Sequence, residues 1–315
     1  MLISIIIPNY NYAQYLPSLF LSLARQTFPH DQAEIIFVDD GSTDDSVEIA
    51  TRWKEILDYR EIHIITQSHV DRPGPVRNTG VQHAKGDFLL FIDSDDTLSP
   101  QYIEECAIRM NLRPEVDVVY TDCIIGGENS RLMQLPKFSP GHMKVQNIVM
   151  STALVRTETF LKTSGYKANT GYEDWDLWIQ MIQLGAIFSR VPKALMTYNQ
   201  HSDGYFQSKA RPKDALSKAT LVLNNPGFFE PETLRWALGY TRREPWAVSF
   251  QTGIIPQKDH VRLMLETFSK INASKRPTAE KIIFSRWLEP PKFIPVAPEK
   301  TKTSYHARLG ERMAV

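Results

Sequence analysis

Phe88-Leu89-Leu90-Phe91-Ile92-Asp93-Ser94-Asp95-Asp96 passes from five apolar residues straight into a turn with three carboxylates. A continuous apolar run, rather than an alternating one, marks a strand covered on both faces, as in a parallel sheet flanked by helices. The same transition occurs twice upstream. Leu2 to Ile7 gives way to Pro8-Asn9-Tyr10-Asn11-Tyr12, and Glu34 to Val38 gives way to Asp39-Asp40-Gly41-Ser42-Thr43-Asp44. Further runs lie at Ile62 to Thr66 and Val116 to Tyr120. The segments between the runs, Tyr15 to Arg25, Asp44 to Leu57, Pro75 to Ala84 and Pro100 to Met110, have helical spacing. Asp44 and Ser99 suit N-cap positions, and Pro75 and Pro100 suit a first helical turn. The first 120 residues therefore predict a largely parallel α/β sheet.

Beyond residue 120 the pattern changes. Residues 126–150 open on Gly126-Gly127 and show no period, which predicts a loop or irregular insertion. Ile148 to Val155 reads as a return to the sheet, Glu173 to Leu184 as a helix ended by Gly185, and Ala186 to Val191 as another strand. From about residue 205 the strand signal fades. Asp214 to Leu223, Pro231 to Leu238 and Asp259 to Ile271 are helical, and the last stretch carries Pro290, Pro291, Pro295 and Pro298 before a basic tail. The expected organisation is a sheet domain over residues 1–205, a helical C-terminal subdomain over 206–289 and an extended tail over 290–315.

Composition narrows the class. With 315 residues, 42% apolar and 23% charged, the chain is a folded globular protein and not a collagen, a disordered polymer or a disulfide scaffold. Cys106 and Cys123 are its two cysteines, which suits a reducing, cytoplasmic setting. No Lys or Arg precedes Arg25, unlike a signal peptide, and no apolar stretch reaches the length of a membrane span. The net charge of zero hides a division: residues 1–204 hold 17 Lys and Arg against 26 Asp and Glu, and residues 205–315 hold 19 against 10. Mutual attraction of the two parts accounts for this as well as an anionic acceptor or a peripheral membrane contact does. No specific nucleic-acid signal is present.

Ligands of open parallel sheets bind at the carboxyl ends of the strands. Here those ends are acidic, and clustered carboxylates repel unless a cation lies among them. In extended chain, Asp93 and Asp95 point the same way and Ser94 between them turns aside. Two carboxylates leave Mg²⁺ or Mn²⁺ open positions for water and phosphate oxygens, so the site suits a nucleoside diphosphate. No G-x-G-x-x-G follows the first strand and no G-x-x-x-x-G-K-[ST] occurs, which argues against dinucleotide and P-loop folds.

Four motifs in order, Ser4-Ile5-Ile6-Ile7-Pro8-Asn9-Tyr10-Asn11, Phe37 to Asp44, Phe91 to Asp96 and Gly171-Tyr172-Glu173-Asp174-Trp175, make residues 1–205 resemble a family 2 glycosyltransferase of the GT-A fold. The resemblance implies an inverting enzyme of glycan or glycoconjugate biosynthesis. It would move one sugar from a nucleotide-sugar, UDP-linked by expectation, to a hydroxyl of a glycan, lipid-linked or protein-linked acceptor. By the same resemblance Pro8, Tyr10, Asp39, Arg77, Asp93 and Ser94 bind the donor. Asp93 and Asp95, with His201, hold Mn²⁺ or Mg²⁺, and Asp174 is the general base with Glu173 beside it. An aromatic ring can stack on a flat base and a carboxylate can accept the imide N–H of uracil. Processive members carry Gln-x-x-Arg-Trp and membrane spans; here Ile283-Phe284-Ser285-Arg286-Trp287 has Ile in the first place, which predicts a single addition. A sugar-nucleotide-forming nucleotidyltransferase is disfavoured because Pro8 to Tyr15 contains neither Gly nor a basic residue. A GT-A fold kept as a non-catalytic scaffold stays open at this level.

Overall fold

A computed structural model describes residues 1–127, 130–201, 204–271 and 283. The order in the first half is β1 (Ile3–Asn9), α1 (Leu16–Ala24), β2 (Ala33–Asp39), α2 (Ser46–Lys54), β3 (Glu61–Thr66), α3 (Pro73–His83), β4 (Phe88–Phe91), β5 (Thr97–Leu98) and α4 (Tyr102–Leu112). The second half adds β6 (Val118–Gly126), β7 (Arg131–Met133), α5 (Pro140–Met143), β8 (Leu154–Arg156), α6 (Thr157–Leu161), α7 (Glu173–Gln183) and β9 (Phe188–Asn199). It closes with α8 (Asp214–Asn224), α9 (Pro231–Thr241) and α10 (Lys258–Ser269). The sheet runs β3-β2-β1-β4-β8-β6-β9-β5, with β7 pairing β6.

The first four strands in that order are parallel, as the apolar runs predict. The other half is mixed: β8 lies antiparallel between β4 and β6, whereas β6 and β9 are parallel. Alternate residues of one strand feed opposite cores. Ile6, Ile36 and Leu89 enter the cluster shared with Val76 of α3 and with Trp175 and Trp178 of α7. Ile5, Ile35 and Leu90 enter the cluster shared with Leu19, Ile103 and Cys106 of α1 and α4. Burial on both faces is why these strands are apolar throughout. Leu221, Trp236 and Met264 of α8, α9 and α10 join the first of the two clusters, so the later helices pack on the same core as α7. The tail over 290–315 and the Arg286-Trp287 pair lie outside the described residues.

Several boundaries moved. Asp44 does not sit at the N-cap: α2 starts at Ser46, whose N–H reaches the Asp44 carboxylate at 3.1 Å. Gln101, not Ser99, precedes α4. Of the apolar stretch Ile148 to Val155, only the last two residues are strand.

Helix α3 lies close on the sheet because of Gly80. A Cβ there would meet Cγ2 of Ile6 at 2.5 Å and Cγ2 of Val38 at 3.4 Å. Gly80→Ala should therefore cost about 1–3 kcal/mol through overpacking, seen as a lower denaturation midpoint. An unchanged midpoint would show that α3 can back away from β1 freely.

Candidate active site

Because β1, β2 and β4 are parallel and in register, their carboxyl ends converge: Asn9 lies opposite Asp39, and Ile6 opposite Phe91. A cleft of about 1580 Å³ opens there. Pro8, Tyr10, Arg77, Asp93, Ser94, Asp95, Glu173, Asp174 and His201 all line it. Asp39 lies behind the wall.

Asp39 is buried and accepts from Asn9 Nδ2 at 2.9 Å, Ser42 Oγ at 2.6 Å and the Ser42 N–H at 2.9 Å. These bonds tie the ends of β1 and β2 and leave part of its lone-pair capacity free. Asp40 fronts the cleft and holds a residue the motifs do not reveal: its Oδ2 is 2.8 Å from His69 Nδ1. The His69 ring stacks on Tyr10 at 3.8 Å between centroids. Tyr10 is 39% exposed, so it is no core residue.

Asp93 to Asp96 form a turn, closed by the Asp96 N–H on the Asp93 carbonyl at 3.1 Å, and not the extended chain expected from the sequence. Ser94 is buried and donates its hydroxyl to the Pro8 carbonyl at 2.8 Å, so it braces Pro8. Asp95 Oδ2 lies 2.8 Å from His201 Nε2. Asp96 accepts the Asn199 N–H at 2.9 Å, and Asn199 Nδ2 donates to the Asp95 carbonyl at 2.6 Å, which fastens the turn to the end of β9. His201 is enclosed by rings, with Tyr15 stacked at 4.9 Å and Tyr12 edge-on at 5.7 Å. Burial and the charge of Asp93 raise the Asp95 carboxyl above the usual range, against the pull of His201. Burial, then Asp95 and Asp93, raise Asp96 further.

Carboxylates raised by burial and by one another are stabilised by a cation. The donor set fits a hard or borderline divalent ion, with carboxylate oxygens from Asp93 and Asp95 and an imidazole whose Nδ1 is buried without a hydrogen-bond partner among the described residues. Glu34, Glu61 and His63 form the tighter acidic group among the described residues, within 4.8 Å of one another. They sit toward the opposite edge of the sheet, where Ser4 and Lys85 occupy their oxygens.

Arg77 carries the other half of the site. It is 2% exposed, not a surface residue of α3, and its Nη2 donates to Asp93 at 2.5 Å and its Nη1 to Glu173 at 3.2 Å. The Tyr166 ring lies 5.3 Å from its guanidinium carbon. Glu173 and Asp174 open α7, where a helix N-terminus favours negative charge. Burial foremost, together with Asp174, pushes the Glu173 carboxyl up to about 7, with Arg77 opposing. Asp174 is raised too, by burial and then by Asp93, while the Trp175 N–H, Arg77 and Asn147 act the other way.

The sequence profile of Glycosyl transferase family 2 matches residues 4–173, more than half of the chain. The chain belongs to that family. Over 104 residues this family 2 glycosyltransferase is 36% identical to poly(ribitol-phosphate) beta-N-acetylglucosaminyltransferase TarS of Staphylococcus aureus, a match covering 33% of this chain and 18% of the relative. Over 102 residues it is 39% identical to the poly(ribitol-phosphate) beta-glucosyltransferase of Bacillus spizizenii, covering 32% and 16%. The chain thus spans under a fifth of the length of these curated relatives. S. aureus TarS 1-349 in complex with UDP-GlcNAc superposes with a TM-score of 0.62 at 19% identity, over 90% of this chain and 79% of that one. Mannosyltransferase PcManGT from Pyrobaculum calidifontis, in complex with GDP-Man and Mn²⁺, gives 0.57 at 18%, over 92% and 81%. Likeness at these identities establishes the fold, a mixed sheet of GT-A type.

Removing the cation between the carboxylates should be costly. Arg77→Met is expected to lose about 3–5 kcal/mol near pH 8, because the buried Glu173 then has no cation and Asp93, partly exposed, loses its charge partner. Protonation relieves that loss, and without Arg77 the Glu173 carboxyl is held still higher than its value of about 7, so the loss should shrink as pH falls toward about 7 and change little below it. Denaturant titrations at both pH values check this. Equal losses would assign the effect to packing of the guanidinium instead of its charge.

Proposed function

We propose that this chain is an inverting, metal-assisted glycosyltransferase that moves one sugar from a UDP-sugar to an acceptor hydroxyl. The observation that carries the reading is the pairing, across one buried arginine, of an Asp93-Ser94-Asp95 turn with a Glu173-Asp174 dyad whose carboxyls are raised toward neutrality. A single displacement at the anomeric carbon needs one base and no covalent intermediate on the enzyme.

Asp174 takes the proton of the attacking hydroxyl, and its raised basicity suits that task near neutral pH. Glu173, held by Arg77, orients the base and the acceptor. Tyr10 with His69 offers a flat stack for the nucleobase, Pro8 and Ser94 shape the floor beside it, and Asp39, behind that wall, holds Asn9 and Ser42 in place and does not itself meet the base. Asp93, Asp95 and His201 would hold Mn²⁺ or Mg²⁺. Such an ion supplies charge neutralisation of the departing diphosphate.

The acceptor end of the cleft is walled by Leu132, Met133, Val145, Met150 and Ile254, with Arg131 at its rim. That lining supports an acceptor joining an apolar or extended carrier to a phosphate. The anionic polymers named for the two curated relatives are consistent with it. Catalysis is assigned to residues 1–205, and acceptor binding in part to the helices after them. No helix among the described residues is long and apolar enough to cross a membrane, and action at the cytoplasmic membrane face, by peripheral contact, is the setting proposed.

Thermal melts with UDP, GDP, CDP and dTDP, each with and without Mn²⁺, test the donor site. UDP at about 100 times its dissociation constant should add roughly 2.7 kcal/mol of stability, and the gain should need both Mn²⁺ and an intact Asp95, read from Asp95→Asn. No shift with any nucleotide would remove the reading's main support. Turnover should fall by about 100-fold or more in Asp174→Asn with UDP binding retained. Since the base works deprotonated and burial raises the Asp174 carboxyl, wild-type kcat should still be climbing with pH above the ordinary carboxylate range. A profile already flat at about pH 5 would contradict an assignment of general base to this dyad.

A further inference from the structure

Asn147 lies between α5 and β8, in the aperiodic stretch that walls one side of the cleft. Its Nδ2 donates to Asp174 Oδ2 at 2.9 Å, and its Oδ1 accepts the Val149 N–H at 3.2 Å. The two bonds define the amide's orientation, since an ionised carboxylate only accepts and a backbone N–H only donates. The other Asp174 oxygen, Oδ1, accepts the N–H of Trp175 at 2.7 Å. With a donor on each oxygen the carboxylate plane is held, and each oxygen keeps a lone pair for a substrate proton.

We infer that Asn147 is a positioning residue that fixes the Asp174 carboxylate for proton abstraction. The inference rests on the reading of Asp174 as the base and extends it to a side chain outside every motif of the sequence. Because Asn147 donates to the charged form, it also favours ionisation of a carboxyl that burial and Asp93 push the other way. The groups that face Asp174 are Arg77 from α3, Asp93 after β4, Glu173 beside it, and the hydroxyls of Tyr166, Tyr172 and Tyr198. The Asn147 carboxamide and the Trp175 N–H are neutral donors, one to each side-chain oxygen of Asp174.

Two variants separate positioning from loop support. Asn147→Ala removes both bonds, whereas Asn147→Asp keeps an acceptor for the Val149 N–H and loses the donor to Asp174. Each is assayed by Mn²⁺-dependent hydrolysis of whichever of UDP-glucose, UDP-galactose and UDP-N-acetylglucosamine the wild type cleaves fastest, alongside melts with UDP. Both variants should lose about 10- to 100-fold in kcat with donor KM and the UDP melt shift unchanged. The rise of kcat with pH should move upward, further for Asn147→Asp, whose added charge opposes ionisation of Asp174. If Asn147→Asp folds and shows wild-type kcat and pH profile while Asp174→Asn is inactive, the positioning role is wrong and the base assignment stands. If Asp174→Asn is itself active, the base assignment falls and the positioning role falls with it.

Discussion

One buried guanidinium organises the acidic edge of this molecule. Arg77 holds Asp93 and Glu173 at the same time, and so ties α3, the end of β4 and the start of α7 to a common point. Withdrawing a cation from water costs several kcal/mol, and only close, well-directed partners offset it. Here the partners are carboxylates that would otherwise repel one another, so each group makes the others' burial tolerable. Gly80, one turn beyond Arg77, lets α3 approach β1 closely enough to place the guanidinium there.

A second buried charge pair does similar work for the later helices. Lys218 of α8 is fully buried, bonds Asp214 at 2.6 Å and donates to the Gln251 carbonyl at 2.7 Å. The Tyr172 hydroxyl donates to Asp214 at 2.6 Å, directly before the Glu173-Asp174 dyad. The segment ending in Gly253, whose N–H also reaches Asp214 at 2.8 Å, forms part of the cleft wall. The helices beyond residue 205 therefore brace the start of α7 as well as covering the core.

The parts of this arrangement that the sequence reveals are those with a period or a motif. Strands buried on both faces are apolar throughout, and their carboxyl ends must converge, so the Asp93–Asp95 turn and its neighbourhood with Pro8 and Tyr10 follow from the pattern. The ends of β6 and β9 do not. In the sequence the apolar run stops at Tyr120 because Thr121 and Asp122 follow, yet the strand continues to Gly126 with both residues buried. Asp122 is neutralised by Arg190 from the adjacent strand at 2.6 Å, a pairing between residues far apart in sequence. The register shifts around Asp122 lie where β9 carries Pro192 and Lys193, residues that argue against a strand when read alone. Asn147 and His69 were invisible for a related reason. Each reaches its carboxylate, Asp174 or Asp40, only because the fold brings the two together, and neither belongs to a periodic run or a motif.

The sharing of Arg77 also links the two halves of the cleft electrostatically. Its charge is divided between Asp93, on the side proposed for the donor, and Glu173, on the side proposed for the acceptor. Whatever draws Asp93 toward another cation frees more of the guanidinium for Glu173, which lowers the affinity of that carboxyl for a proton. The same change weakens proton binding by Asp174, which feels Arg77 and Asp93 together. A cation bound beside Asp93 would thus shift the dyad toward its ionised form. The sign of this coupling follows from the positions of three side chains, since a cation placed beside Asp93 stabilises negative charge at every carboxylate around Arg77.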